Sequence, residues 1–363
     1  MSATLTHMIP VFRPGGAELQ LATLAGAQAA QGDDVTVLCL AADDLLCEEM
    51  EAGGVKVISL RQDGVLRFLR SARAARRGSV VHSWMYHGFL MGAALRPFGK
   101  ARHVWGVRRT EPFSPGLKRR TRAIVRLGRL LAPRSAHALV FCSETTMDRH
   151  VEAGFRAPHL IVTLNAIPPK FLEPRPLEQR DGFVVGCLTR WTFDKGIDVL
   201  LRAWADFIDA GGTGTLLLAG PGIDENNEEL VDMVASNGVG ETTKLVGPYR
   251  EPRDFHRSLD VYVSPSRTEG FPNVVAEAMA TGIPVVATAV GGTHEVMGPT
   301  GFLVDNEDHA AITNALLDLQ QHPELRAQHG EQARRRCEEE FTVTATEAAV
   351  RQAYIAAGAV DLA

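Results

Sequence analysis

Two carboxylates, Glu269 and Glu277, stand eight positions apart in the stretch SPSRTEGFPNVVAEAMATGIPVVATAVGGTHEVMGPTGFLV, residues 264–304. Gly270 and Pro272 break the apolar run DVYVSPS that precedes them, so the chain must turn there. The Ala-rich stretch that follows reads as a helix capped by Asn273. The first amides of a helix have no internal partner and carry the positive end of its dipole, so such a mouth can hold a phosphate or sugar hydroxyls. Glu277 falls about one turn inside, among Val274, Val275, Ala276, Ala278 and Ala280. A carboxylate in those surroundings needs donors, and a vicinal diol supplies two. Taken alone, the unit is equally what ordinary strand-turn-helix packing produces.

A second constellation lies in GFVVGCLTRWTFDKGIDVLLRAW, where a strand ends at Leu188, a helix begins near Gly196, and Arg190 and Lys195 stand between. Cations at the carboxyl end of a parallel strand sit where such sheets bind ligands. The Arg fork and the mobile Lys charge together suit a diphosphate, although two solvated surface cations would look the same in sequence. Gly15 and Gly16 precede Ala17 and Glu18 after the first strand, and side-chain-free residues at a helix start let a ligand approach the amides. No D-x-D triplet occurs in the chain. A diphosphate held here would therefore be neutralised by Arg190, Lys195 and helix amides, which predicts metal-independent chemistry.

These residues must be positioned by strands and helices in alternation. Residues 3–9 read as a first strand, followed by the runs DVTVLCL, VKVISL, SVVHSW, RHVWGV, HALVFCS and LIVTLN with helical stretches between. Short apolar runs alternating with helices predict a mostly parallel sheet covered on both faces. Pro168, Pro169, Pro174 and Pro176 then interrupt regular structure, which marks a linker over 169–181. A second series follows it: GFVVGCL, GTLLLAG, TTKLVG, DVYVSPS, IPVVAT and GFLV. The expected organisation is one Rossmann-like domain over 1–168, a second over 182–342, and a closing helix over about 343–363.

Composition bounds the class. With 363 residues, 45% hydrophobic and 22% charged, the chain suits two globular domains. No run reaches the roughly 18 apolar residues of a spanning helix, and the first residues lack a basic, apolar and cleavable sequence, so the expected location is cytoplasmic. Cys39, Cys47, Cys142, Cys187 and Cys337 are scattered without a C-x-x-C pair, the pattern of buried free thiols rather than a disulfide framework or zinc site. The net charge of −5 hides a split. Residues 1–168 hold 22 Lys and Arg against 13 Asp and Glu, a balance of +9; the remainder holds 16 against 30, a balance of −14. The basic half should meet something anionic. Within it PGLKRRTRAIVRLGRLLAPRS reads as a helix with a stripe of Leu117, Ile124, Leu127 and Leu131. Lys118, Arg119, Arg120, Arg122, Arg126 and Arg129 surround that stripe, and Arg67, Arg70, Arg73, Arg76 and Arg77 form another basic face. Such a helix over 117–131 either packs on the sheet or lies on an anionic membrane surface. Basic residues without interleaved aromatics argue against nucleic acid.

Residues 264–304 resemble, nearly position for position, the donor-site signature of the retaining glycosyltransferases of family 4, the group 1 glycosyl transferases. The resemblance implies the GT-B fold, two Rossmann-like domains facing a cleft, with the last helix crossing back to the first domain. It implies that Glu269, with Gly270, Phe271, Pro272, Asn273 and Val274, holds the donor sugar and that Glu277 holds the nucleotide ribose. By the same resemblance Arg190 and Lys195 clamp the pyrophosphate, Gly15 and Gly16 face the donor phosphates, and Val246 to Tyr249 border the base. Gly291, Gly292 and Glu295 match a further Gly-Gly and glutamate of the family. Many members carry a catalytic histidine at the end of the strand that here reads RHVWGVRRTEP. This chain has Arg108 at that place, so the histidine role does not carry over and Arg108 stands as a candidate catalytic residue, with His82, His87 and His103 nearby. His87, in MYHGFLMGAALR, is read either as a helix-packing residue or as a catalytic one. The implied activity is retaining transfer from a nucleotide-diphosphate sugar to a glycan or lipid-linked acceptor in cell-surface polysaccharide or glycolipid synthesis, with no cofactor. An epimerase on the same architecture would consume donor without acceptor, and a non-catalytic assembly subunit would show damage to the donor residues.

Overall fold

The apolar runs become parallel strands because each is buried on both faces and bounded by turn residues. The computed structural model describes residues 2–13, 15–113, 117–173, 182–249, 251–359 and 362. The chain divides into two units, Met1–Ala166 with Val343–Ala363, and Ile167–Thr342.

Unit 1 carries β1 (Thr4–Met8), β2 (Val11–Phe12), β3 (Asp34–Cys39), β4 (Ala41–Ala42), β5 (Lys56–Ser59), β6 (Val80–Trp84), β7 (Arg102–Val107), β8 (Ala138–Phe141) and β9 (His159–Val162). Its main sheet is parallel in the order β5-β3-β1-β6-β7-β8-β9. The helices between them are α1 (Gly16–Ala30), α2 (Asp44–Ala52), α3 (Leu60–Ala75, kinked at Gly64), α4 (Met85–Leu95), α5 (Arg119–Ser135) and α6 (Glu144–Glu152). A two-residue ladder pairing β2 with β4 was not foreseen, because two residues carry no periodicity.

Unit 2 begins with α7 (Pro169–Leu172) and contains β10 (Val184–Leu188), α8 (Ile197–Asp209), β11 (Thr215–Ala219), α9 (Glu228–Ser236), β12 (Thr243–Gly247), α10 (Pro252–Arg257) and β13 (Val261–Ser264). It continues through α11 (Asn273–Ala280), β14 (Val285–Thr288), α12 (Thr293–Met297), β15 (Phe302–Val304), α13 (His309–Gln321) and α14 (Pro323–Glu340). Its sheet is parallel in the order β12-β11-β10-β13-β14-β15. The closing helix α15 (Val343–Ala356) belongs to unit 1 and packs on α1.

Each unit has its own core. In unit 1, Leu5, Val37, Val80, Val104 and Val140 of the sheet meet Leu21 and Leu24 of α1 and Val350, Ala353 and Tyr354 of α15. In unit 2, Val185, Leu216, Val261 and Val286 meet Leu200, Trp204 and Phe207 of α8 and Ile312 and Leu316 of α13.

Several expectations are corrected. Pro169 opens α7 rather than breaking structure, since a proline at the first helical positions forgoes an amide that would have no partner. Residues 174–181 of the expected linker, which include Pro174 and Pro176, lie outside the described residues. The basic helix runs over Arg119–Ser135, and its buried arc is Val125, Gly128, Ala132 and Ser135. Leu117, Ile124 and Leu131 flank that arc, whereas Leu127 is exposed along with Leu130. All five cysteines are free, and Cys47 is only half-buried. Among the described residues no helix is long and apolar enough to cross a membrane.

Candidate functional site

In unit 2 the strand order reverses between β10 and β13, and the crevice at the carboxyl ends of these two strands is where open α/β sheets bind ligands. The loop after β10 carries Arg190 and Lys195, and the loop after β13 carries Ser266, Arg267 and Glu269. Lys195 Nζ stands 2.7 Å from Glu269 Oε1, and Ser266 Oγ donates to the same oxygen at 2.7 Å. Both side chains of the ion pair are 15% exposed. The ammonium has three donors, so this bond leaves two for a ligand oxygen.

The two loops are locked together by close approach and by charge. Gly196 caps α8 with a left-handed backbone at φ 65°, and a Cβ there would stand 2.0 Å from the Pro265 carbonyl oxygen. Only glycine fits. Arg267 is the strap: its guanidinium grips both carboxylate oxygens of Asp198 at 2.8 Å, donates to the Phe193 carbonyl at 2.8 Å and meets Glu307 at 2.7 Å. Its amide donates to the Asp194 carbonyl, and its guanidinium stacks 4.1 Å over the Phe193 ring. The same fork holds the Asp198 carboxyl below its ordinary value. Lys195 is thus carried on a loop tied at several points to the loop bearing Glu269.

Arg190 is exposed and has no hydrogen-bond or ion-pair partner among the described residues. The amides of Gly270 and Phe271 likewise find no acceptor there. Phe271 contributes backbone only, because its ring is buried edge-on to Phe341 at 6.0 Å. Asn273 is not the cap of α11. Pro272 holds the non-helical cap conformation and its carbonyl accepts the first helical bond from Ala276, while Asn273 is the first helical residue and its amide bonds to the Phe271 carbonyl. Val274 follows in the first turn. Glu277 lies one turn further, its Oε2 3.9 Å from Nε2 of the fully buried His256. The Gly292 amide donates to the Glu269 carbonyl at 3.3 Å, so the Gly291-Gly292 turn braces the same loop. Glu295 lies in α12. At the end of β12 Val246 is exposed, and beyond it the exposed Tyr249 meets Phe255 edge-on at 5.3 Å.

Unit 1 places its candidates at the corresponding edge of its own sheet, beyond β1 and β6. Gly15 is the extended N-cap of α1 and Gly16 its first residue. At the start of α4 Met85 adopts a positive φ of 62°, an uncommon strain for a side chain of that size. His87, two positions on, is exposed rather than packed. Gly88 explains why: a Cβ there would stand 2.8 Å from the Met8 carbonyl, so this face of α4 lies on the β1 end and His87 points away. Arg108 stacks 4.7 Å over Trp84 and donates to Asn165 Oδ1 at 2.9 Å. Trp84 Nε1 donates to His7, whose other nitrogen meets Gln28, and His82 meets the Tyr354 hydroxyl. Arg108 therefore closes a buried polar network. His82 and His103 are buried as well, and burial drives both imidazoles below their ordinary value.

Ser266, Arg267 and His256 were not singled out from sequence. Ser266 and Arg267 lie within the quoted motif, but their partners are distant in the chain, and nothing in the spacing of a serine or an arginine marks a strap. Among the described residues no cluster of three or more His, Cys, Asp or Glu side chains is set to hold a metal.

Residues 182–322 match the family model described as glycosyl transferases group 1, and residues 14–171 match that described as glycosyltransferase family 4. The lipopolysaccharide core biosynthesis mannosyltransferase LpcC of Rhizobium leguminosarum bv. viciae is 28% identical, with 73% of this chain and 81% of that protein covered. LpsB of Rhizobium meliloti, a mannosyltransferase of the same description, is 26% identical over 68% of this chain and 74% of its own. The crystal structure of Anabaena Alr3699/HepE in complex with UDP and glucose superposes with a TM-score of 0.81 at 21% identity, covering 97% and 99% of the two chains. The last likeness shows the fold, which is GT-B. With a family model on each unit, the chain belongs to the glycosyltransferases of family 4, the group 1 glycosyl transferases.

Proposed function

We propose that this enzyme transfers a sugar with retention from a nucleotide-diphosphate sugar to a glycan or lipid-linked acceptor of the cell surface, without a metal. The observation that carries the reading is the Lys195–Glu269 pair at the reversal of the second sheet, beside the amides of Gly270 and Phe271 and the Arg190 guanidinium, which find no partner among the described residues. Under this reading Arg190 and the two remaining Lys195 donors hold the diphosphate, and their charge stabilises the leaving group as it departs. Glu269 accepts from sugar hydroxyls and fixes the anomeric carbon, and Glu277 accepts from the ribose diol. The acceptor oxygen bonds to that carbon on the face from which the phosphate oxygen leaves, and the phosphate oxygen takes the acceptor proton. Such a step asks for positioning and charge rather than a protein base. In unit 1 we assign Arg108 to holding Trp84, the residue before α4, and the exposed His87 to acceptor contact. Gly15 and Gly16 are assigned to donor phosphate.

The named relatives support a cell-surface product, since LpcC and LpsB are described as lipopolysaccharide core enzymes. Two surfaces support an anionic, membrane-borne acceptor. α3 exposes Val65, Leu66 and Leu69 among Arg67, Arg70 and Arg73, and α5 exposes Leu127 and Leu130 among Arg119, Arg120, Arg126 and Arg134. Sedimentation with phosphatidylglycerol vesicles, but not phosphatidylcholine vesicles, is expected at low salt, and equal binding to both would remove this part.

The test of the reaction is a thermal-shift screen with UDP-, GDP-, ADP- and dTDP-sugars, followed by transfer assays with the donor that raises the melting temperature. Turnover is expected to require acceptor and to survive EDTA. Donor consumption without acceptor would favour an epimerase, and loss of turnover in EDTA restored by magnesium would overturn the metal-free scheme.

A further inference from the structure

His256 in α10 is fully buried, and neither ring nitrogen finds a hydrogen-bond partner among the described residues. Its ring is enclosed by aromatic edges: Tyr262 at 5.2 Å, Phe255 at 6.1 Å and Phe171 at 6.3 Å. Tyr262 offers it nothing, because the phenol donates to the Leu188 carbonyl at 3.2 Å. Buried polar groups are almost always paired, so an orphan imidazole in an aromatic box calls for an explanation. The carboxylate of Glu277, 3.9 Å from Nε2, is the acceptor nearest to reach. That distance is just beyond a hydrogen bond. Glu277 in turn has no other hydrogen bond or ion pair among the described residues. The two residues come from α10 and α11, which pack against each other.

We infer that His256 is a positioning residue for Glu277: its Nε2 hydrogen closes on Oε2 in the donor-bound state and fixes the carboxylate to receive the two ribose hydroxyls. This rests on the reading of Glu277 as the ribose-binding carboxylate. A carboxylate free to rotate can meet one hydroxyl or the other, whereas one anchored from behind through Oε2 presents a fixed plane to both. A merely packed histidine would support the fold equally for any ligand. A positioning histidine acts only on the ribose.

The test is calorimetric binding of UDP, GDP and ADP and of their 2′,3′-dideoxy counterparts to the full chain, taking whichever base binds. Wild type is expected to prefer the ribonucleotide, and Glu277→Ala to abolish the preference. His256→Phe, which keeps an aromatic ring without a donor, is expected to cut the preference roughly tenfold through weaker ribonucleotide binding, with dideoxynucleotide affinity unchanged. His256→Gln, whose amide can reach toward Glu277, is expected to restore most of it. If His256→Phe gives no cooperative melt, His256→Met is read in the same way. An unchanged preference in the donor-less variants, beside its loss in Glu277→Ala, overturns the role of His256 and leaves the site reading standing. Equal weakening of ribo- and dideoxynucleotides also overturns it, as a structural effect. A preference that survives Glu277→Ala overturns the ribose reading and this inference together, as does binding of none of the three nucleotides.

Discussion

The Lys195–Glu269 pair is built from opposite charges that are both largely withdrawn from water, and removing either partner strands the other. Lys195→Ala leaves the Glu269 carboxylate with Ser266 in a half-closed pocket, which should cost about 1–2 kcal/mol of stability, short of the full penalty for a wholly buried pair. The double change Lys195→Met with Glu269→Gln removes both charges and should recover most of that loss in a urea melt. Under the proposed reading of Lys195 transfer should not recover, since its donors to the leaving group are gone, and each variant should lose at least a hundredfold in kcat/KM. Recovery of activity together with stability would show the pair to be structural. At this scale the sequence marked candidate residues and not the contacts between them. The spacing of Glu269 and Glu277 and the Arg-Lys loop were legible because each lies within one strand-turn-helix unit. The ion pair joins residues 74 positions apart, and no local pattern reports it.

Two loops must hold that pair, and Arg267 with Gly196 is the device. A bidentate guanidinium–carboxylate contact has directional bonds that a lysine cannot reproduce. Arg267→Lys should therefore keep the fold, lower the melting temperature by only a few degrees and reduce donor affinity about tenfold, measured by titration with the nucleotide sugar. Wild-type affinity in Arg267→Lys would show that the loops hold their places without the strap. The strands were readable as continuous apolar runs, such as GFVVGCL for β10, because burial on both faces leaves a strong local trace. Helix faces were less so. Leu127 sits at helical spacing from Ile124 and Leu131, yet the arc turned to the core is centred on Gly128, where an added Cβ would stand 3.8 Å from the Phe89 ring of α4. Asn273 has the side chain of a cap, but Pro272 lacks an amide to lose and takes the position instead.

At the scale of the whole chain, buried imidazoles are unevenly shared. His7, His103 and His150 in unit 1 are each lowered by burial to about 4, and His82 lies well below its ordinary value for the same reason. In unit 2 burial lowers the half-buried His329. For a histidine with a depressed folded-state value, both states are neutral above about pH 6.5 and nothing is lost. As pH falls below that value the unfolded chain takes up protons that the folded unit refuses, and stability declines until the folded value near 4 is reached. At pH 5 the loss is on the order of 2 kcal/mol for each such imidazole. Asp198 in unit 2, held low by Arg267, keeps its contribution until pH falls below about 4, outside that window. Unit 1 should therefore open first on mild acidification. Hydrogen exchange at pH 7 and pH 5, corrected for the intrinsic rate, should show β1 and β6 losing protection while β10 and β14 keep theirs. His103→Leu removes an imidazole whose two nitrogens have no hydrogen-bond partner among the described residues, and it should raise the pH 5 stability of unit 1 while changing the pH 7 value less. Simultaneous loss in both units, or an unchanged acid response in His103→Leu, would mean that the acid sensitivity lies outside these buried rings.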